Sequence, residues 1–287
     1  LAGRNRDKLQ LQSHETGYPF EVTDTKDPVA LKNLLSKGKV VIHCGGPFHF
    51  TAKAMVDACL ETQTHYTDIT GEHQVFEMLA GYDERGKQAG ITILPGAGFD
   101  VVPTDCLAVY LKHRLPSATR LQLAFAMSKG GLSHGTAKTS IEGLGYGSLI
   151  RRDGNLVPVP LGKQVLTIDF GAFKRKALNI PWGDISTAWR STGIPNIEVY
   201  MAAPDRLITI AKMSQYLSWL LRQRWLKNFL KRRVSAGPSG PDEERRRSGK
   251  SYVWGKAIDE QGKTCISRLE AISAYSLTAK TSVLIAK

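Results

Sequence analysis

Cysteine is scarce in this sequence, with four residues in 287, Cys44, Cys59, Cys106 and Cys265, and no CxxC pair. That spacing excludes a disulfide framework and fits reduced thiols in a cytoplasmic protein. The histidines, seven in number, show no ligand spacing, so no metal site is expected. No run approaches the roughly 20 apolar residues that span a bilayer. A Ser/His/Asp, Cys/His or paired-carboxylate constellation is also missing. Asp100 and Asp105, which flank Pro103, are candidate acids, with Asp105 alternatively capping or pairing within its helix, and His49, His134, Tyr146 and Tyr275 are unranked as proton donors, so no catalytic residue is nominated. Acidic residues are scarce in one region above all. From Arg206 to Lys256 there are 13 Lys/Arg against Asp242, Glu243 and Glu244, within a chain whose net charge is +13.

What the sequence does contain starts with VVIHCGGPF, Val40 to Phe48. Four apolar or near-apolar residues predict a buried parallel strand that stops at Gly45-Gly46-Pro47, where bare backbone can lie against a flat ligand. A plain strand-to-helix turn uses the same residues. The neighbouring pattern favours the ligand reading. Strands are predicted over 18–23, 40–44, 65–69 and 91–94, and helices over 28–37, 51–61, 73–89 and 101–114. Such alternation, with short connections, predicts right-handed βαβ units. The strands end in Gly45-Gly46-Pro47, Thr70-Gly71-Glu72 and Gly96-Ala97-Gly98, so the glycines collect on the carboxyl edge, where open α/β sheets bind ligands.

Leu1-Ala2-Gly3-Arg4 looks like the end of a second strand, followed by a helix through Asp7, Leu9 and Leu11. An acidic residue there would hold a ribose hydroxyl, whereas an arginine suits a 2′-phosphate, so Arg4, with Arg6 behind it, predicts NADP over NAD. Both arginines could equally be solvated charges at a helix start. A first strand and its GxGxxG loop are missing from this arrangement, and the sequence reads as an N-terminally truncated, inactive fragment.

AGRNRDKL from Ala2, VVIHCGGPF from Val40, YTDITGE from Tyr66 and PGAGFDVVPTD from Pro95 resemble the saccharopine dehydrogenase-like oxidoreductases, in particular the branch of the trans-acting enoyl reductases. The resemblance implies an α/β fold: a Rossmann-type doubly wound parallel sheet over residues 1–118 that binds NADP, and a second α+β domain over 119–273. A C-terminal helix, 274–287, would return to the first domain. It also implies reduction of a lipid or amino acid and, for some members, association with membranes or lipid droplets. Asp100-Val101-Val102-Pro103 departs from the Asp-Pro-Gly of true saccharopine reductases, which counts against an amino-acid substrate. The cofactor-binding candidates are Arg4, Gly45, Gly46, Pro47, Phe48, Gly71, Glu72, Gly98 and Asp100. Glu72 could orient the nicotinamide ribose or cap the helix at His73.

Beyond residue 118, β-rich runs over 121–127, 165–170, 196–202, 251–258 and 264–273 predict a mainly antiparallel sheet, one face of it roofing the cofactor. Ser133 is a candidate N-cap for a helix through Ile141, and Gly143 to Gly147 stops it. A basic helix, 207–233, is followed by a Gly/Pro/Ser/Arg-rich loop, 236–250. At about 100° per residue, Ile210, Met213, Tyr216, Leu217, Leu220 and Leu221 share one face while Trp225, Leu226, Phe229 and Leu230 point the other way. Either the helix breaks near Arg222 to Arg224 and lays Trp225 and Phe229 on an anionic membrane, with Lys231, Arg232 and Arg233 at its headgroups, or the second face meets a partner subunit or its own domain. A homodimer is an open alternative. A nucleic-acid partner is not expected, because no binding module accompanies the basic residues. The expected function is an NADP-dependent reductase of a lipid-like or acyl substrate, cytoplasmic and peripheral at a membrane. The alternative is a non-catalytic, membrane-surface protein that keeps the fold.

Overall fold

The structure is a computed structural model that describes residues 1–128, 134–236, 244 and 248–287. In the first third of the chain, short parallel strands alternate with helices. Strand β1 (Ala2–Gly3) pairs with β2 (Glu21–Val22), and β3 (Val40–His43), β4 (His65–Asp68) and β5 (Ile93–Leu94) form a parallel set in that order. The intervening helices are α1 (Arg6–Thr16), α2 (Pro28–Leu35), α3 (Phe48–Thr62), α4 (His73–Ala80), α5 (Asp83–Ala89) and α6 (Val102–Arg114).

Local chemistry fixes their ends. Asn5 Oδ1 accepts the Lys8 N–H at 2.9 Å to start α1, and Gly17, at φ 74°, ends it in the left-handed region that glycine enters without strain. Asp27 Oδ1 accepts from Val29 and Ala30 to start α2, with Pro28 in the first turn. The single helix expected over 73–89 is two, because the chain leaves the helix at Gly81 and restarts at Asp83. Leu31, Leu35, Val56, Cys59, Tyr66 and Leu79 form the buried core between α2, α3, α4 and the sheet.

The rest of the chain builds one larger sheet. Its path runs β13 (Thr264–Ile272), β12 (Lys250–Ile258), β6 (Arg120–Met127), β11 (Asn196–Ala202), β10 (Lys174–Asn179) and β9 (Val165–Asp169). A hairpin of β7 (Ser148–Arg152) and β8 (Asn155–Val159) pairs with β11. The sheet is mainly antiparallel, β6 with β11 being its parallel pair. Strands β7, β8 and β10 and helix α8 (Asp184–Thr192) were not expected from the sequence. The β7–β8 turn sits at Asp153-Gly154, with φ 49° and 77°, the double positive φ of a two-residue hairpin.

Alternation along the strands gives the sheet two apolar faces. Leu121, Leu123, Phe125, Ile197, Val199 and Val253 pack against Leu107 and Leu111 of α6 and Ile185 and Ala188 of α8. Ala124, Ala126, Tyr200, Tyr252 and Trp254 form the other face with Ile168 and Phe170. Arg268 Nε donates to Asp169 O at 2.8 Å, so the two ends of the strand path touch. Helices α6 and α8 therefore cover one of the two faces.

Further helices are α7 (His134–Glu142), α9 (Asp205–Ser214), α10 (Ser218–Leu221), α11 (Arg224–Ala236) and α12 (Ala274–Ala286). The proposed N-cap Ser133 and the side chain of His134 lie outside the described residues. The α12 helix returns to the first strands: Thr278 Oγ1 accepts the Phe99 N–H at 3.0 Å, and Thr281 Oγ1 donates to Ala97 O at 2.6 Å. The helix expected over 207–233 is interrupted after Ser214 and also at Arg222-Gln223, where one of the two readings of the sequence places a break.

Candidate cofactor site

Every candidate cofactor residue follows the carboxyl end of a parallel strand. Arg4 comes directly after β1, is exposed, and has no carboxylate partner among the described residues. Cys44, Gly45 and Gly46 follow β3 with exposed backbone. Pro47 is half-buried, and Phe48 is buried with its ring edge-on to His43, 5.4 Å between centroids. Beneath this turn His43 Nε2 lies 2.9 Å from Thr51 Oγ1, whose hydroxyl donates to Gly45 O at 2.8 Å. Burial lowers the His43 pKa to about 4, so the ring is neutral and holds the turn without placing charge there.

Glu72 does not take the capping role expected of it. It occupies the N-cap position of α4 without bonding that helix through its side chain. Instead its carboxylate accepts the backbone N–H groups of Phe48 at 2.8 Å and His49 at 3.1 Å, and lies 2.5 Å from His49 Nδ1. A negative group thus sits at the N-terminus of α3, where the helix dipole favours it. This is why α3 starts at Phe48, three residues before the expected Thr51.

The loops after β4 and β5 are tied together by an aspartate that sequence reasoning passed over. Asp68 accepts from Tyr66 Oη at 2.5 Å, Thr70 N at 3.0 Å and Gly96 N at 2.8 Å. Burial nevertheless pushes its carboxyl up to about 6. Its signal in the sequence is an acid at the last position of the strand, in YTDITGE. Asp100 packs on Gly71 so closely that a Cβ at 71 would lie 2.7 Å from Oδ2. Burial pushes the Asp100 carboxyl up to about 7, and none of the described residues hydrogen-bonds it. Gly98 is buried against α12, where a Cβ would lie 3.0 Å from Thr278 Cγ2. The structure thus brings together Phe48 with Glu72 and Gly71 with Asp100. Arg4 belongs to the separate β1–β2 pair.

A second missed residue is Trp182, just before α8. Its Nε1 donates to Asp100 O at 2.7 Å, it forms an antiparallel bridge with Glu72, and its ring lies 4.9 Å from Phe125. Residue 182 thereby contacts both carboxyl-edge loops, the Glu72 loop through its main chain and the Asp100 loop through its indole. Asp184, two residues on, is fully buried, and burial pushes its carboxyl well above the carboxylate range. Asp105 accepts from Ser191 Oγ at 2.9 Å, which spends it on the α6–α8 contact.

These donors suit a phosphorylated dinucleotide. An exposed guanidinium without a carboxylate partner among the described residues matches phosphate geometry, and the Cys44-Gly45-Gly46 backbone is open to a flat ring. Comparison with known proteins agrees, since residues 1–94 match the family described as saccharopine dehydrogenase NADP binding domain. Those residues are thus similar to the NADP-binding domain of saccharopine dehydrogenases. The chain is 31% identical to a rat (Rattus norvegicus) saccharopine dehydrogenase-like oxidoreductase over 183 residues, 56% of this chain and 42% of that protein. It is 29% identical to a trans-acting enoyl reductase of Mycobacterium bovis over 120 residues, 40% of this chain and 28% of that one. The matched part is thus less than half the length of these relatives. Among solved structures, the apo saccharopine dehydrogenase (L-Glu forming) of Saccharomyces cerevisiae superimposes with TM-score 0.64 at 12% identity. The superposition covers 99% of this chain and 84% of that one, which shows a shared fold.

Proposed function

We propose that this chain is the NADP-binding and substrate-facing part of an oxidoreductase that reduces a lipid-like or acyl substrate. The observation that carries the cofactor reading is Arg4, an exposed guanidinium with no carboxylate partner among the described residues, at the end of β1 in a region similar to an NADP-binding domain. When bound, NADPH supplies the hydride. The protein's part is to hold and position. Arg4 would take the 2′-phosphate, and the backbone of Gly45 and Gly46, kept in place by Thr51 and His43, would support the dinucleotide. Asp68 fixes the Thr70 and Gly96 loops beside it, and Trp182 keeps the larger sheet against Asp100 and Glu72.

The substrate class is supported by the similarity to the enoyl reductase and by the Val101-Val102 departure from Asp-Pro-Gly. A non-catalytic membrane-surface protein with the same fold is the competing reading, favoured by the absence of a catalytic constellation. Fluorescence titration with NADPH and NADH, followed by oxidation of NADPH in the presence of enoyl thioesters, separates the two. Preferential NADPH binding with turnover supports the reductase. Cofactor binding without turnover on any enoyl or carbonyl lipid supports the surface protein.

A further inference from the structure

The segment from Arg206 to Ala236 leaves an unusual amount of apolar surface in water. Along α9, Ile208 and Ala211 point inward while Leu207, Ile210 and Met213 are exposed at three-residue spacing, one stripe of the helix. The stripe continues through Tyr216 and Leu217 to Trp219, all exposed. On α11, Trp225 and Phe229, four residues apart and therefore on one face, are exposed as well, and Arg233 lies over the Phe229 ring at 5.5 Å. These eight large side chains fall within 23 residues, and clustered exposure of this kind marks an interaction surface.

The charge around them selects the partner. The same 31 residues contain eight Lys/Arg and no Asp or Glu. Lys227 and Lys231 are drawn inward: Lys227 Nζ donates to Glu142 O at 2.6 Å and lies over the Tyr146 ring, and Lys231 pairs with the Glu142 carboxylate. Lys231 is thus not the headgroup contact expected of it. Arg206, Lys212, Arg224 and Arg232 remain exposed, with no acidic partner among the described residues. A second copy seated on this surface would bring like charges face to face, since a two-fold contact apposes the same patch. An anionic surface with an apolar interior satisfies both properties: rings and aliphatic chains enter the headgroup boundary and the arginines stay level with the phosphates.

We infer that α9, α10 and α11 form a peripheral docking surface for an anionic phospholipid membrane, with Leu207, Ile210, Met213, Trp219, Trp225 and Phe229 as the inserted side chains. Tyr146, exposed and stacked with Arg222 at 5.1 Å, extends the same aromatic and cationic rim.

The test is sedimentation of the full chain with vesicles of phosphatidylcholine containing phosphatidylserine, and with phosphatidylcholine alone. Binding is expected to the mixed vesicles, to weaken as salt rises and to shift tryptophan emission to the blue. Trp225→Glu with Phe229→Glu should lower it about tenfold at unchanged melting temperature. Should the glutamates perturb folding, Trp225→Ser with Phe229→Ser should give the same loss. Arg224→Glu with Arg232→Glu should abolish the preference for the anionic vesicles. No sedimentation, equal binding to neutral vesicles, binding indifferent to these substitutions, or a concentration-dependent dimer lost with them would each overturn the inference.

Discussion

Glu72 holds the start of the helix at Phe48, its Oε1 2.8 Å from the Phe48 nitrogen and its Oε2 3.1 Å from that of His49. Two strand ends are thereby locked to each other, because Glu72 follows β4 and Phe48 follows β3. Glu72→Ala strands both N–H groups and should lower stability by roughly 1–3 kcal/mol. Glu72→Gln keeps the shape and loses the charge, so a smaller loss is expected. Urea unfolding of both variants checks the order; an alanine variant as stable as the parent would show that water satisfies the helix start equally well.

Arg4 gives the second prediction. With its guanidinium on the 2′-phosphate, NADPH should bind at least about tenfold tighter than NADH, about 1.4 kcal/mol, and Arg4→Asp should remove or invert the preference. The comparison is made by fluorescence titration with both cofactors. Equal affinities in the parent chain would remove Arg4 from the site.

Much of this arrangement is legible in the sequence because it is local. Val40 to His43 is a strand by its apolar run, Asp27 and Pro28 announce α2, and Arg4 follows from its place at a strand end. What stays hidden depends on contacts distant in sequence. Glu72 caps a helix 24 residues upstream, and Trp182 reaches Asp100 across 82. Neither spacing has a periodic signature. Helix α8 is missed because Asp184, Ser186 and Thr192 give it a polar look, although all are buried against neighbouring elements. The basic segment is the converse case. Its faces are readable at about 100° per residue, but only the packed chain shows that Lys227 turns inward while Ile210 and Met213 do not.

Asp100 supplies a pH prediction. Burial raises its carboxyl to about 7 in the folded protein, so the folded state binds the proton more tightly than the unfolded chain does. That contribution is fully present below the unfolded value near 3.8 and is lost as pH rises through about 7. His43 acts in the opposite sense, since its lowered pKa of about 4 removes stability as pH falls from 6.5. The variant isolates the aspartate. Asp100→Asn cannot ionise, so relative to the parent it should gain roughly 1–3 kcal/mol between pH 5 and pH 8. Urea unfolding at the two pH values measures it, and a difference independent of pH would place the carboxylate in water.

The same carboxylate explains why residue 71 is glycine, and this too can be checked. A Cβ at 71 would lie 2.7 Å from Asp100 Oδ2 and 2.9 Å from its Cβ, closer than carbon and oxygen approach without displacement. Gly71→Ala should therefore cost roughly 1–3 kcal/mol by overpacking. Removing only the carboxyl does not make room, because the Asp100 Cβ remains, so Gly71→Ala with Asp100→Ala should stay destabilised. Gly71→Ala with Asp100→Gly clears both contacts and should recover most of the packing loss, less roughly 0.5–1 kcal/mol for the added backbone freedom. Unfolding free energies of the parent, Gly71→Ala, Asp100→Gly and the variant with both changes form a double-mutant cycle with coupling expected above about 0.5 kcal/mol. Additive losses would mean that the strand-end loop shifts to accept the methyl group, and that Gly71 and Asp100 are not held against each other in solution.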